Sequence, residues 1–368
     1  MSDKPARILN WRIPEGRRIL VVSDIHGNLP YFTGLLEQLD FSDDDELVID
    51  GDFLEKGRQS LDTLRYIMEL TARGHTHTVC GNCDGWAGIF RSGRTEEMEE
   101  RTLDYILSRK RGLLWDMLNE AGIDPFEIEG LAQIKAELWR RFRAEWDFLA
   151  ALPHAIETQN FVFAHAGMRP DKPLSHHEVR ELDRVDFFLR QGLRFDKWVV
   201  VGHEPVVLYG EDIVCANPII DRESRIISID GGCVLKDDGQ LNALIIPDVR
   251  SEDFSFAAYD PFPTAVALDD QAEGERSYYI RWGDNTVQVL KRGAEFSLCR
   301  HIRTGYEMEI LTKYLFSGGD ICPCNDCTDY VLPVKAGDEL RIVERSSKGV
   351  FAKLNGVSGW YRGRIEEK

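Results

Sequence analysis

The first two-thirds of the chain alternates short apolar runs with amphipathic stretches. Runs rich in β-branched residues occur at Arg18–Ser23 (RILVVS), Glu46–Ile49 (ELVI), Thr76–Cys80 (THTVC), Phe161–Ala164 (FVFA), Lys197–Val201 (KWVVV), Arg225–Ile229 (RIISI) and Leu241–Ile246 (LNALII). Each reads as a strand. Helical periodicity follows the first two, near Pro30–Leu39 and Ser60–Thr71. A long helical region is expected over roughly Glu96–Leu152, where apolar positions recur at three- and four-residue spacing, and its Trp and Phe residues read as ordinary core. The pattern up to Asp248 predicts an α/β fold.

The pattern changes after residue 250. Residues 250–274 are acidic, contain Pro261 and Pro263, and read as a linker or irregular cover. Beyond Ser277 come short β-like runs between glycine-containing turns. The expected organisation is a catalytic domain over 1–250, a β-rich connecting region over 251–320 and a small barrel over 321–368. In that last segment, "KAGDELRIVE" followed by "GWYRGRI" resembles the SH3-like small barrels over about forty residues. The resemblance implies a peptide partner, with Trp360 and Tyr361 at its surface or in its core.

Composition narrows the functional classes. The 368 residues are 43% hydrophobic, enough for a sizeable core. A net charge of −18 repels nucleic-acid phosphates and anionic lipid, so neither is an expected partner. A phosphorylated substrate would then need local positive charge, most simply from metal ions. No run reaches membrane-spanning length and no apolar leader is apparent, which predicts a soluble cytoplasmic protein. Eight scattered or crowded cysteines suit a reducing compartment rather than a disulfide scaffold.

Five loops that follow predicted strands carry metal-ligand chemistry: Asp24-Ile25-His26-Gly27-Asn28, Gly51-Asp52, Gly81-Asn82, His165-Ala166-Gly167 and Gly202-His203. In an open α/β sheet such loops converge on one crevice. Two carboxylates, one amide oxygen and three imidazoles form a mixed N/O set suited to Mn²⁺, Fe or Zn²⁺ rather than Ca²⁺. Six ligands exceed what one tetrahedral ion with an open position can use. They suit two ions sharing a bridging carboxylate, for which Asp52 is the natural choice.

The ordered motifs "DIHGN", "GDFLEKG", "GNCD", "HAGM" and "GHEPV" resemble the calcineurin-like metallophosphoesterases. Within that family they are most similar to the PPP-type phosphoprotein phosphatases and their bacterial diadenosine-tetraphosphatase relatives. The resemblance spans about Arg18 to Asp248. It implies a four-layer αββα sandwich and a two-metal centre. Asp24, His26 and Asp52 would bind one ion; Asp52, Asn82, His165 and His203 would bind the other. Two departures stand out. The arginine that clamps phosphate in relatives is Lys56 here, a cation without the bidentate fork, so phosphate grip should be looser. The relatives' GNHE is Asn82-Cys83-Asp84 here. The missing histidine is the group that, paired with an aspartate standing where Glu55 stands, protonates the leaving oxygen. Arg184 and Asn28 complete the expected substrate contacts, Arg184 resembling a phosphate arginine of the bacterial branch.

The chemistry implied is attack by a hydroxide bridging two ions about 3.5–4 Å apart, with the ions clamping the phosphoryl oxygens. A general acid adds typically 10²–10⁴-fold, chiefly for poor leaving groups. Three readings of Cys83 stand: it is the acid, its neighbour Asp84 acts instead, or it is a small residue in an enzyme that relies on metals alone. Elsewhere Cys322, Cys324 and Cys327, with Cys299 and His301 upstream, could hold a structural zinc, against a simple reduced cysteine-rich turn. The expectation is a metal-dependent hydrolase of phosphomonoesters, with phosphoproteins as substrates. The alternatives are a dinucleoside polyphosphate hydrolase, or a decayed, metal-holding scaffold that binds phosphoproteins.

Overall fold

A computed structural model describes residues 4–91, 95–128 and 130–368, with only the backbone described at 89–91. Position 129, within the expected helical region, lies outside that set. The chain forms two compact units: residues 1–204, 218–235 and 240–259 in one, and 205–217, 236–239 and 260–368 in the other.

The first unit stacks two sheets. One has the order Ser255–Tyr259, Leu241–Ile246, Ile19–Val22, Glu46–Asp50, Thr76–Val79, its last three strands parallel. The other runs Ile8–Asn10, Ala155–Glu157, Phe161–Phe163, Trp198–Val201, Ile226–Ser228, Ile219–Asp221, with Phe161–Phe163, Trp198–Val201 and Ile226–Ser228 parallel. Strand pleating sorts the side chains. Ile19, Val21, Val48, Leu244 and Ile246 meet Ile156, Phe161, Phe163, Val200 and Ile227 in the layer between the sheets. Leu20, Val22, Leu47 and Ile49 face the opposite way, into helices Leu29–Gln38, Ser60–Ala72, Glu96–Arg109, Leu113–Ala121, Leu131–Arg141 and Arg143–Ala151. Val162, Ala164, Val199 and Val201 pack under Leu174, Leu182 and Phe188 from short helical turns. The outer layer on that side is therefore thin.

The seven expected strands all form, with ends moved by at most a residue. Among the described residues the expected helical region forms, as four α-helices and a 3-10 turn at Pro125–Glu127. Gly112 and Gly130 precede the second and third, and Gly122, at φ 70°, closes the second by a left-handed cap. The expected irregular stretch 250–274 contains two strands. Ser255–Tyr259 pairs antiparallel with Leu241–Ile245, and Thr264–Ala267 pairs with residues 339–341. The acidic, proline-bearing text hid them because the first is a half-exposed edge strand with little apolar alternation.

The second unit is β-rich. A six-stranded sheet runs Ile365–Glu367, Thr264–Ala267, Glu339–Ser346, Gly349–Leu354, Val357–Tyr361, Val214–Cys215. A four-stranded sheet runs Glu307–Leu311, Phe296–His301, Thr286–Lys291, Ile321–Pro323. The unit thus draws on Val214–Cys215 and Thr264–Ala267, well upstream of residue 321. Tyr361 is fully buried, and the half-buried Trp360 donates its indole N–H to the Thr328 carbonyl at 2.9 Å. Among the described residues no helix is long and apolar enough to cross a membrane.

Candidate metal centre

Every expected ligand sits just past the carboxyl end of a strand. Asp24 and His26 follow Ile19–Val22, Asp52 follows Glu46–Asp50, and Asn82 follows Thr76–Val79. From the second sheet, His165 follows Phe161–Phe163 and His203 follows Trp198–Val201. The turns are sharp: Asp24, His26, Asp52 and His203 have φ of 55°, 52°, 50° and 68°. Non-glycine residues pay for such conformations, which cluster where a site is held in place by its surroundings. The flanking glycines allow close approach. A β-carbon at Gly81 would overlap the Asp52 carboxylate and backbone, and one at Gly202 would overlap the Asp24 carboxylate.

Among the described residues, two groups of side chains bring their ligand atoms within 4.8 Å of one another: Asp24, Asp52 and His165, and His26, Asp52 and Cys83. Asp52 belongs to both. His165 Nε2 lies 3.3 Å from Asp52 Oδ1, and His26 Nε2 lies 3.7 Å from Asp24 Oδ1. The His165 and His203 rings are 5.2 Å apart, and the His203 backbone N–H donates to Asp24 Oδ2 at 2.9 Å. Backbone carbonyls fix the ligand rings: the Asp50 carbonyl is 2.8 Å from His165 Nδ1, and the Leu54 carbonyl is 3.2 Å from His26 Nδ1. Each ring therefore turns its Nε2 toward the carboxylates, an arrangement common to metal-bound histidines.

The electrostatics favour cations here. Burial, reinforced by Asp230, pushes the Asp24 carboxyl well above its usual range. Burial would raise Asp52 too, but His165, His26 and the Cys83 amide outweigh it and hold Asp52 far below that range. Burial opposes charge on His165, yet Asp52 and Asp24 overcome it and drive its pKa well up. His203 falls to about 4, through burial and then the neighbouring His165. Asp24 Oδ1 and Asn82 Oδ1 are buried with no hydrogen-bond donor. Unmatched acceptors and crowded carboxylates fit divalent ions, which would supply both charge and ligation.

The expected catalytic and substrate residues fall in several settings. Cys83 is half-buried, its N–H donating to Asp52 Oδ1 at 2.8 Å; burial and then Asp52 push its thiol well up. Asp84 Oδ2 accepts from the Asp52 and Gly81 amides at 2.7 and 2.8 Å, and Oδ1 from Leu54 at 3.1 Å. Burial, then Asp52, lifts its carboxyl to about 7. Glu55 is buried, accepting from the Tyr105 hydroxyl at 3.1 Å and the Leu113 amide at 2.9 Å. Lys56 is half-buried, and its charge acts on both His26 and Cys83. Arg184 is exposed, within electrostatic reach of His203. Asn28 donates from Nδ2 to Cys233 Sγ at 3.5 Å. Sequence reasoning missed Asp230 and the carbonyls of Asp50 and Leu54. Only "SIDGG", an acidic turn after a strand, signalled the first; a carbonyl leaves no mark in residue type.

The C-terminal cysteines sit in the second unit. Cys299 and Cys324 belong to an apolar cluster with Ile280, Val287, Met308 and Ile310, and Cys327 is hydrogen-bonded to Cys324. Among the described residues, the side-chain groups that gather metal-ligand atoms within 4.8 Å are the two built on Asp52, and neither contains Cys299, Cys322, Cys324, Cys327 or His301. All eight cysteines are unpaired.

Residues 17–227, with the five ligand loops inside them, match the calcineurin-like phosphoesterase family. The chain belongs to that family. This phosphoesterase is 25% identical over 260 residues to the asymmetrical bis(5'-nucleosyl)-tetraphosphatase PrpE of Halalkalibacterium halodurans, covering 62% of this chain and 90% of that protein. The PrpE protein of Geobacillus thermodenitrificans is also 25% identical, over 63% of this chain and 91% of its own. Among solved structures, a serine/threonine phosphatase of Saccharomyces cerevisiae is similar with a TM-score of 0.41 and 10% identity, over 70% of this chain and 84% of that one. As a calcineurin-like phosphoesterase the chain is a hydrolase, and the family uses divalent metals, for which the two residue groups on Asp52 are the candidate ligands.

Proposed function

We propose that this phosphoesterase hydrolyses phosphomonoesters on proteins at a two-metal centre bridged by Asp52. The observation that carries this reading is the membership of Asp52 in both ligand groups. The sequence expectation places Asp24 and His26 on one ion and Asn82, His165 and His203 on the other; the grouping of ligand atoms favours instead Asp24 and His165 with Asp52 on one ion and His26 on the other, with Asn82 and His203 adjoining. Manganese is the first ion to test, with iron and zinc next. Bound divalent ions supply Lewis-acid activation of water and neutralise phosphoryl charge.

The chain's own residues set the preference among esters. Lys56 beside His26 supplies a point charge to the phosphoryl group, without arginine's two-pronged grip. Arg184 offers a second cation near His203. Asp84 and Glu55 already spend their oxygens on backbone amides and a phenol. With those oxygens engaged, the centre favours leaving groups that depart unaided, such as the phenolate of phosphotyrosine. The C-terminal unit, with its SH3-like sequence motif, would present a surface for peptide substrates or partners. Eight unpaired cysteines accord with a reducing, cytoplasmic setting.

A second reading, hydrolysis of dinucleoside polyphosphates, is favoured by the named activity of the PrpE relatives. A phosphoanhydride also carries a good leaving group. The deciding experiment strips the protein with chelator, restores Mn²⁺, and compares an aryl phosphate, a phosphotyrosine peptide, a phosphoserine peptide and a dinucleoside tetraphosphate. Faster turnover of the aryl and tyrosine esters supports the first reading; turnover of the dinucleotide alone replaces it with the second.

A further inference from the structure

We infer that Cys83 is itself a metal ligand, its thiolate joining His26 and Asp52 around one ion of the centre. The inference rests on the two-metal reading above and concerns what fills one of its shells. The ligand atoms of His26, Asp52 and Cys83 lie within 4.8 Å of one another, as do those of Asp24, Asp52 and His165. Backbone geometry holds the sulfur there. The Cys83 N–H donates to Asp52 Oδ1 at 2.8 Å, so residue 83 is tied to the carboxylate that both groups share. His26 Nδ1 is engaged by the Leu54 carbonyl, which leaves Nε2 for an ion.

Burial and Asp52 keep the free thiol protonated, so it is position rather than charge that makes the sulfur a ligand. The Asn82 Nδ2 amide lies 3.4 Å from Cys83 Sγ and donates to it, while Asn82 Oδ1 is buried without a donor. One side chain thus steadies the sulfur through its nitrogen and keeps its oxygen for ligation. On ligation the S–H bond breaks, the electron pair stays on sulfur to form the metal–sulfur bond, and the proton passes to solvent.

The consequence is a change of metal preference. A shell of imidazole, carboxylate and thiolate selects borderline ions such as Zn²⁺ and Fe²⁺ over Mn²⁺, which prefers oxygen ligands. The position would then contribute to the choice of ion rather than to protonating the leaving group.

Cobalt(II) is the probe. The full-length protein is stripped, loaded with Co²⁺, and its bound cobalt counted by equilibrium dialysis while its near-ultraviolet spectrum is recorded. Two ions per chain with a sulfur-to-cobalt charge-transfer band are expected. Cys83→Ser should lose that band and weaken cobalt and zinc binding by roughly tenfold or more, whereas Cys80→Ser should keep it. Two bound cobalt ions with no such band in the wild-type protein would overturn the inference and leave the phosphoesterase reading intact; this arm needs no variant to fold. A band undiminished in Cys83→Ser would also overturn it. Failure to bind cobalt at all would sink the metal centre and the ligand assignment together.

Discussion

Asp52 shows how much can depend on one side chain. Its carboxylate is shared by both ligand groups, and its conformation, at φ 50°, is one that a non-glycine residue adopts at a cost. Asp52→Asn should therefore reduce bound metal and lower kcat on an aryl phosphate by on the order of 10²–10³-fold or more. Elemental analysis beside steady-state kinetics checks both. Asp84 acts one step back, gripping the amides of Asp52, Gly81 and Leu54. Asp84→Asn would set an NH₂ group against at least one of those N–H donors. Metal affinity should fall by roughly 10–100-fold, with aryl and alkyl esters losing rate alike once metal is limiting. A loss confined to alkyl esters would instead identify Asp84 as the proton donor.

At the level of strands and helices, the parallel core was legible because its residues carry their environment in their type. Runs such as ILVV and WVVV are buried along their length, and the ligands follow directly where these runs end. Ile8–Asn10, Ala155–Glu157 and Ile219–Asp221 escaped notice because each is short, only partly buried and ends on a polar residue, unlike the equally short but fully buried Phe161–Phe163. In the metal centre the ligand types and their order were legible. The Asp84 grip, the ring-orienting carbonyls and the company of Cys83 with His26 depend on tertiary placement. The strand Gly349–Leu354 carries another such case. Lys353 is 2% exposed, its ammonium 2.6 Å from Asp260, which also holds Arg341 at 2.9 Å. Asp260→Ala would remove the carboxylate from that buried cation and should destabilise the protein by about 3–5 kcal/mol, measured by denaturant unfolding.

For the whole molecule, charge and solution conditions come into play. The net charge of −18 and the buried acids of the centre both favour cation binding. Saturating metal at about a hundredfold over Kd should add about 2.7 kcal/mol of stability, visible as a Tm that falls on chelation. Acid should act through His154. Its ring nitrogen Nδ1 accepts the Arg7 backbone N–H at 3.0 Å, and burial, then Arg7, lowers its pKa from 6.5 to about 4. The unfolded chain thus binds the proton more readily, so stability is lost as pH falls from about 6.5 toward 4. His154→Gln, which lacks the titration, should show a shallower decline of Tm than the wild type across that window.

The division of the chain into its two units has a genetic consequence. The second unit is not confined to the end of the sequence, since it includes residues 205–217 and 236–239. Val214–Cys215 forms the edge of its six-stranded sheet by pairing with Val357–Ser358, and Val207, Leu208, Val214 and Ala216 share a buried cluster with Tyr279. A stop codon after Tyr259 would not release a clean catalytic domain. It would leave Val214–Cys215 without its partner strand, on the segment that follows His203, one of the six expected ligands. Recombination at that boundary would meet the same obstacle, so the two units are expected to be inherited as a single cistron segment rather than exchanged between genes as modules.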